Sequence, residues 1–455
     1  MAGKMGGVEP GSEKLGTRPV GRLLAAMSIP PIVTMTAQSV YHIVDSIFVA
    51  RISEKALAAT TLVFPIPMFL MAIAAGTGVG VGSLMARSYG EKNREKVSAV
   101  ANQAYLLVIA SWLVFAAFGI LLTMPFLHLL TDDPELLSLA SVFCTITTVG
   151  SLGAFFQFNI ERILQSVGLV YQPLIFNIVG TVINIVLNPI LIFGKFGFPA
   201  LGIAGSATAT VIGQCSAAAL GLILLARAKS DVSFALRTLR FNFPIIKDIY
   251  RVGAPSIFMY GISSLSSLLM NAILMAYSVT AVAVLGIYYR LQTIIITPVF
   301  GIGQGALPII SFNYGARNIP RVRKTFILAM VSSVTAMLVG TALTQMFPQE
   351  IMSLFHASAN LNEIGAFALR VISISFAMSG VSIMTANFYQ SIGVGFVSFI
   401  ISSLRQLVFI IPAALLLWRV FEPRYVWYCF PVAETATCLI SLCLIARTFR
   451  RKLSL

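Results

Sequence analysis

Asp45 lies within a long apolar run, and it is the one carboxylate deep in the first half of the chain: Asp132, Asp133 and Glu135 fall between runs, and Glu161 is placed near the inner end of one. An isolated acid in hydrocarbon costs about 2.5–3.5 kcal/mol to insert. Such a group can hold a proton or a cation and release either when water enters. It could equally sit at the interface and pair with Arg51. Asn184 and Asn188 are four residues apart, hence on one helical face, where their amide oxygens could face a cation or serve as hydrogen-bonding glue between helices. Gln38 and Tyr41 share the face of Asp45, and Asn177 and Thr181 share that of Asn184. These four could line a polar substrate cavity or satisfy one another. His42, three residues from Asp45, could exchange a proton with it or pack as a neutral ring. In the second half, Arg290, Arg405 and Glu434 lie in or near apolar runs, and Arg290 could pair with Glu434 or meet an anionic substrate.

The elements that carry these residues must be membrane helices. The 455 residues are 58% hydrophobic and 10% charged, against roughly 25% charged in soluble domains. Twelve apolar runs, each near the roughly 20 residues that span a hydrocarbon core, centre on 24–50, 57–86, 97–123, 138–160, 170–193, 205–226, 250–276, 283–311, 323–345, 363–386, 397–419 and 426–447. The fold class predicted is an all-α polytopic membrane protein. Its surplus of 31 basic over 16 acidic residues is mostly topology, because 23 basic residues fall in the segments that are cytoplasmic if the amino terminus is inside. Both termini are then cytoplasmic. Basic residues scattered over six loops form no nucleic-acid footprint. Cys144, Cys215, Cys429, Cys438 and Cys443 lie in or beside apolar runs and show neither a disulfide framework nor zinc spacing. His42, His128 and His356 assemble no enzyme-like constellation with other groups, so no enzyme and no cofactor are expected.

An internal repeat sets the domain organisation. Gly76, Gly78 and Gly80 recur as Gly301, Gly303 and Gly305, and Tyr89-Gly90 with Asn93 and Val97 recurs as Tyr314-Gly315 with Asn318 and Val322. At the same offset of 225, Pro30 matches Pro255, and Gln165-Ser166-Val167-Gly168 matches Gln390-Ser391-Ile392-Gly393. Four matches in one register indicate a duplicated unit of six helices, as in secondary transporters. The predicted organisation is a cytoplasmic tail at 1–22, an amino-terminal lobe at 23–227, a linker at 228–249, a carboxyl-terminal lobe at 250–447 and a tail at 448–455. The glycines thin the second helix of each half so that neighbours approach closely; with no preceding strand and no Gly-Lys-Ser/Thr, they are not a phosphate loop.

Val44-Asp45-Ser46-Ile47-Phe48-Val49-Ala50-Arg51, followed by Ala56-Leu57-Ala58-Ala59, resembles the first-helix motif of multidrug and toxic compound extrusion (MATE) transporters. Leu201-Gly202-Ile203-Ala204-Gly205-Ser206-Ala207 resembles that family's sixth-helix start. Residues 300–318 resemble the eighth helix of its DinF-like bacterial and archaeal branch, within the MOP flippase superfamily. The likeness runs from about residue 23 to 447. It implies two pseudo-symmetric six-helix lobes and export of organic cations and other amphipathic compounds in exchange for H+ or Na+ by alternating access. It further implies an Asn-x-x-x-Asp pair on the fifth helix and a threonine on the sixth, which aligns with Thr210. Here the aspartate is replaced by Asn188, which carries no charge and cannot titrate, so proton coupling through Asp45 is favoured over a sodium site at Asp45, Asn184 and Thr210. The likeness also marks Pro30 as a hinge and Arg290 as a basic position common in the branch. A plasma-membrane monomer handling small amphipathic molecules among lipids is expected, the alternative being a flippase for a lipid-linked or anionic amphiphile.

Overall fold

In the computed structural model, which describes residues 12–228, 241–353 and 359–451, the apolar runs are helices throughout. Ten are long and apolar enough to cross a membrane, and two bent pairs complete a set of twelve. In chain order they are α1 (Val20–Ala50), α2 (Pro65–Gly90), α3 (Arg94–Leu121), α4 (Pro134–Val149 and Leu152–Ser166), α5 (Tyr171–Phe193) and α6 (Ile203–Arg227). The second set is α7 (Phe243–Tyr277), α8 (Val279–Gly315), α9 (Ile319–Met346), α10 (Ala359–Ser373 and Phe376–Ser391), α11 (Gly395–Ser403, a π-helical turn Leu404–Phe409, and Ile410–Val420) and α12 (Cys429–Arg451). The expectations placed at 1–11, at 229–240 within the linker, at His356 and at 452–455 lie outside the described residues.

Three spans read as continuous in the sequence are interrupted: α4 bends by 43° and α10 by 50°, and α11 carries the π-helical turn. Backbone groups freed inside an apolar layer must find partners, since no water is there to take them. Each break meets that requirement from a neighbouring helix. At the α4 bend the Trp112 indole N–H donates to the Val149 carbonyl over 2.8 Å. At the α10 bend the Thr341 hydroxyl donates to the Ser373 carbonyl over 2.9 Å, and beside the π-helical turn of α11 the Ser266 hydroxyl donates to the Gln406 carbonyl over 2.9 Å.

The duplication is visible in the backbone. Lys92 and Arg317, at the 225-residue offset, both adopt φ of 57°, and Gly168 and Gly393 adopt 80° and 83°. Asn93 caps α3 by accepting from the Lys96 N–H, and its counterpart Asn318 caps α9 by accepting from the Arg321 N–H. Asparagine suits this place because its side-chain oxygen satisfies an orphan amide of the first turn.

The chain divides into two compact units, one of residues 1–17 and 33–254 and the other of residues 18–32 and 255–455. The changeovers fall between Ile32 and Val33, one residue past Pro30-Pro31 in α1, and directly before Pro255 in α7. The repeated glycines explain how each unit accepts a helix start from the other repeat. In the first unit a Cβ on Gly80 would overlap the Ile249 carbonyl oxygen, and one on Gly253 would stand 3.1 Å from the Gly76 oxygen. In the second unit, Cβ atoms on Gly301 and Gly305 would run into Ile32 and Met27. Large apolar side chains such as Val114, Leu121, Ile294 and Leu416 are more than 60% exposed, a distribution that suits a bilayer rather than water.

Candidate functional site

Asp45 ends up at the meeting point of α1, α5 and α6. Its Oδ1 accepts from the Asn188 side-chain N–H over 2.5 Å and from the Ser206 hydroxyl over 2.9 Å. Arg51, the pairing partner left open by the sequence, is not among its contacts. One helical turn back on α5, the Asn184 N–H donates to the Thr210 hydroxyl over 3.1 Å, and that hydroxyl is 3.3 Å from the Tyr41 hydroxyl. Asn184 and Asn188 are 3% and 0% exposed, yet the side-chain oxygen of each lacks a partner. A buried, unpaired amide oxygen is costly. The cluster therefore offers a half-buried carboxylate held by uncharged donors, with two amide oxygens beside it able to receive a proton-bearing species or a cation.

The other expected residues divide. Tyr41 and Thr210 join the Asp45 cluster as described. The side chains of Gln38 and Thr181 are part-exposed and make no hydrogen bond among the described residues. The His42 ring packs on Tyr41, with centroids 4.7 Å apart. Pro30 is buried within an unbroken α1, three residues before the changeover between units. Asn177 does not extend the Asp45 cluster: its N–H donates to Glu161 Oε2 over 3.1 Å, and its oxygen accepts from Gln157. Glu161, read as an interfacial residue, is 7% exposed and also accepts from the Gln165 N–H over 2.9 Å. It lies in the second segment of α4, beyond the bend. Arg290 does not pair with Glu434; it is exposed, and Glu434 is met by Arg405, whose Nη1 is 3.7 Å from Oε1.

Ser206 was the member of the Asp45 cluster that residue types alone did not single out. The available signal is its position four residues before Thr210 on α6, which puts both hydroxyls on one face. Among the described residues no group of three His, Cys, Asp or Glu side chains is placed to hold a metal ion.

Outside the spans, Lys55 binds Asp133 at 3.3 Å and Glu135 at 2.5 Å. The Glu135 and Asp133 carboxylates push the Lys55 ammonium up. The Leu136 and Glu135 backbone amides hold the Asp133 carboxyl below its usual range.

Comparison with known proteins returns one family, MatE, whose model matches residues 30–190 and 255–416. A FAD transporter of Shewanella oneidensis is 25% identical over 401 residues, covering 88% of both chains. The multidrug export protein MepA of Staphylococcus aureus is 25% identical over 443 residues, covering 96% of this chain and 95% of its own. A solved MOP superfamily transporter from Pyrococcus furiosus superposes with a TM-score of 0.87 at 24% identity, covering 96% of this chain and 97% of that one.

Proposed function

The chain belongs to the MatE family, a multi-pass membrane transporter rather than an enzyme, and from that premise we propose that it exports amphipathic drugs and organic cations across the cell membrane in exchange for protons. It works as a monomer among membrane lipids, with both termini on the cytoplasmic side. The observation that carries the coupling is Asp45, a carboxylate in the first span whose side-chain hydrogen bonds, among the described residues, come from the uncharged Asn188 and Ser206.

A permanent cationic partner would fix Asp45 in its charged form, whereas amide and hydroxyl donors support the carboxylate and still leave it open to protonation. Protonation removes the charge that Asn188 and Ser206 stabilise, loosening the tie of α1 to α5 and α6. Pro30 and Pro31 deny α1 two backbone hydrogen bonds near the point where it changes unit, so bending there is cheap. Alternating access then follows from coupling the charge on Asp45 to the path of α1, and drug leaves as the proton enters.

Sodium coupling is the second reading. It is favoured by the unpartnered oxygens of Asn184 and Asn188, which with Asp45 and Thr210 make an all-oxygen donor set of the kind that hard cations take. The single carboxylate favours the proton, since neutral amides add no charge to hold Na+. Ethidium uptake into inverted vesicles separates the two. A pH gradient drives it in the proton reading, and an Asp45→Asn variant is inert; uptake driven by Na+ alone, or retained in Asp45→Asn, overturns that reading.

A further inference from the structure

The second unit contains a buried ion pair that proton coupling does not use. Glu434 on α12 is 6% exposed; its Oε1 lies 3.7 Å from Arg405 Nη1 and the Ser379 side chain stands beside the carboxylate, while its Oε2 is buried without a hydrogen-bond partner. The Arg405 guanidinium makes no hydrogen bond among the described residues, its backbone carbonyl alone accepting from the Ile410 N–H, and 19% of its side chain is exposed. At 3.7 Å the pair is a charge contact rather than a hydrogen bond, where a well-seated guanidinium-carboxylate pair is bidentate at about 2.7–2.9 Å. The guanidinium, with five N–H donors, is thus held by charge while its fork stays free.

The backbone around it is specialised. Arg405 is the second residue of the π-helical turn Leu404–Phe409, a feature that costs regular helix bonds and concentrates at functional sites. The turn is braced from α7 by Ser266 on the Gln406 carbonyl. Glu434 stands one helical turn beyond Phe430, whose ring meets that of Tyr288 edge-on at 5.2 Å, and Tyr288 is within electrostatic range of both charges. Two ions in an apolar span that bind each other loosely are a poor structural device, since well-packed apolar residues of similar volume usually stabilise as much. The same pair is well suited to present a cation whose donors remain unspent.

We infer that Arg405 is a binding residue for an oxyanion, a phosphate or carboxylate, carried by amphipathic substrates, and that Glu434 is a positioning residue holding the guanidinium in place. This rests on the export reading and extends it, because the substrate class then includes amphiphiles bearing a negative group beside the organic cations assigned above. A planar fork matches an oxyanion in a way an ammonium does not, so Arg405→Lys is not a silent change.

The test uses the full-length chain in lipid nanodiscs and two probes differing by one phosphate, flavin mononucleotide and riboflavin, with affinity read from flavin fluorescence. Arg405→Ala should lower the preference for the phosphorylated probe by about tenfold, the worth of one charge-assisted hydrogen bond. Arg405→Lys should lower it part of the way, and it carries the test if the alanine variant does not fold. Glu434→Gln should raise the preference, because it removes a negative charge beside the bound anion while keeping an oxygen for Arg405. A preference unchanged in the Arg405 variants, or lowered in Glu434→Gln, overturns the inference. Ethidium efflux by the unaltered chain tests the export reading separately: its absence sinks that reading and leaves the flavin ratio as the measure of the site.

Discussion

Among the described residues, the Asp45 carboxylate of the first unit is hydrogen-bonded by amide and hydroxyl groups, whereas in the second unit Glu434 is met by a guanidinium. The two sites are not repeat equivalents. At the 225-residue offset Asp45 corresponds to Met270, Asn184 to Phe409 and Ser206 to Pro431, while Arg405 corresponds to Gly180 and Glu434 to Ala209. Yet the glycines, the asparagine caps and the positive-φ turns are kept in both halves. Duplication preserved what positions backbone and let the buried charges diverge. One backbone plan thus carries two kinds of buried charge, a carboxylate met by neutral donors and a charge pair whose guanidinium donors are unspent.

The largest expected effect breaks or upholds that asymmetry directly. Asp45→Asn should abolish gradient-driven ethidium efflux, and adding Met270→Asp should not restore it, because Met270 is fully buried and its repeat counterparts to Asn188 and Ser206 are Ala413 and Pro431. Restored efflux in the double variant would show that the units are chemically interchangeable. Next, Asn188→Ala should slow proton-driven efflux by about ten- to hundredfold, the equivalent of the roughly 1.5–3 kcal/mol lost with a hydrogen bond to a charged group. Ser206→Ala should act in the same direction more weakly, as its bond is longer. Efflux rates at fixed pH gradient decide both.

A third pair of variants sharpens the scaffold side. Gly80→Ala and Gly305→Ala should each lower thermal stability by about 1–3 kcal/mol, the cost of overpacking. The new methyl would press on the Ile249 carbonyl in the first unit and stand 2.8 Å from the Met27 carbonyl in the second. A large difference between their melting temperatures would mean that the two halves no longer share one packing rule.

The smallest effect lies outside the spans. Because the Asp133 carboxyl is held below its usual range, its contribution is full above about pH 4 and is lost as pH falls through the lowered folded value. Asp133→Asn should flatten that acid-side loss in a thermal melt while leaving neutral-pH stability nearly unchanged, as exposed ion pairs contribute little.

The sequence by itself determined the helical spans, the repeat and the place of Asp45 within the first span. Apolar length, a fixed repeat offset and a lone intramembrane acid are local or periodic signals that need no knowledge of packing. Asn184, Asn188, Tyr41 and Thr210 were found because helical spacing or family likeness put them on faces that meet. Tertiary structure decided what spacing leaves open. Glu161 is buried and takes Asn177 as its partner rather than leaving it near Asp45, the π-helical turn in α11 carries Arg405, and Glu434 pairs with Arg405 rather than Arg290. The changeover of helix starts between units is likewise unreadable along the chain. Partner choice between helices depends on where each helix bends and which face it then turns to its neighbours, and those bends are stabilised by donors from residues more than 25 positions away, such as Trp112, Thr341 and Ser266.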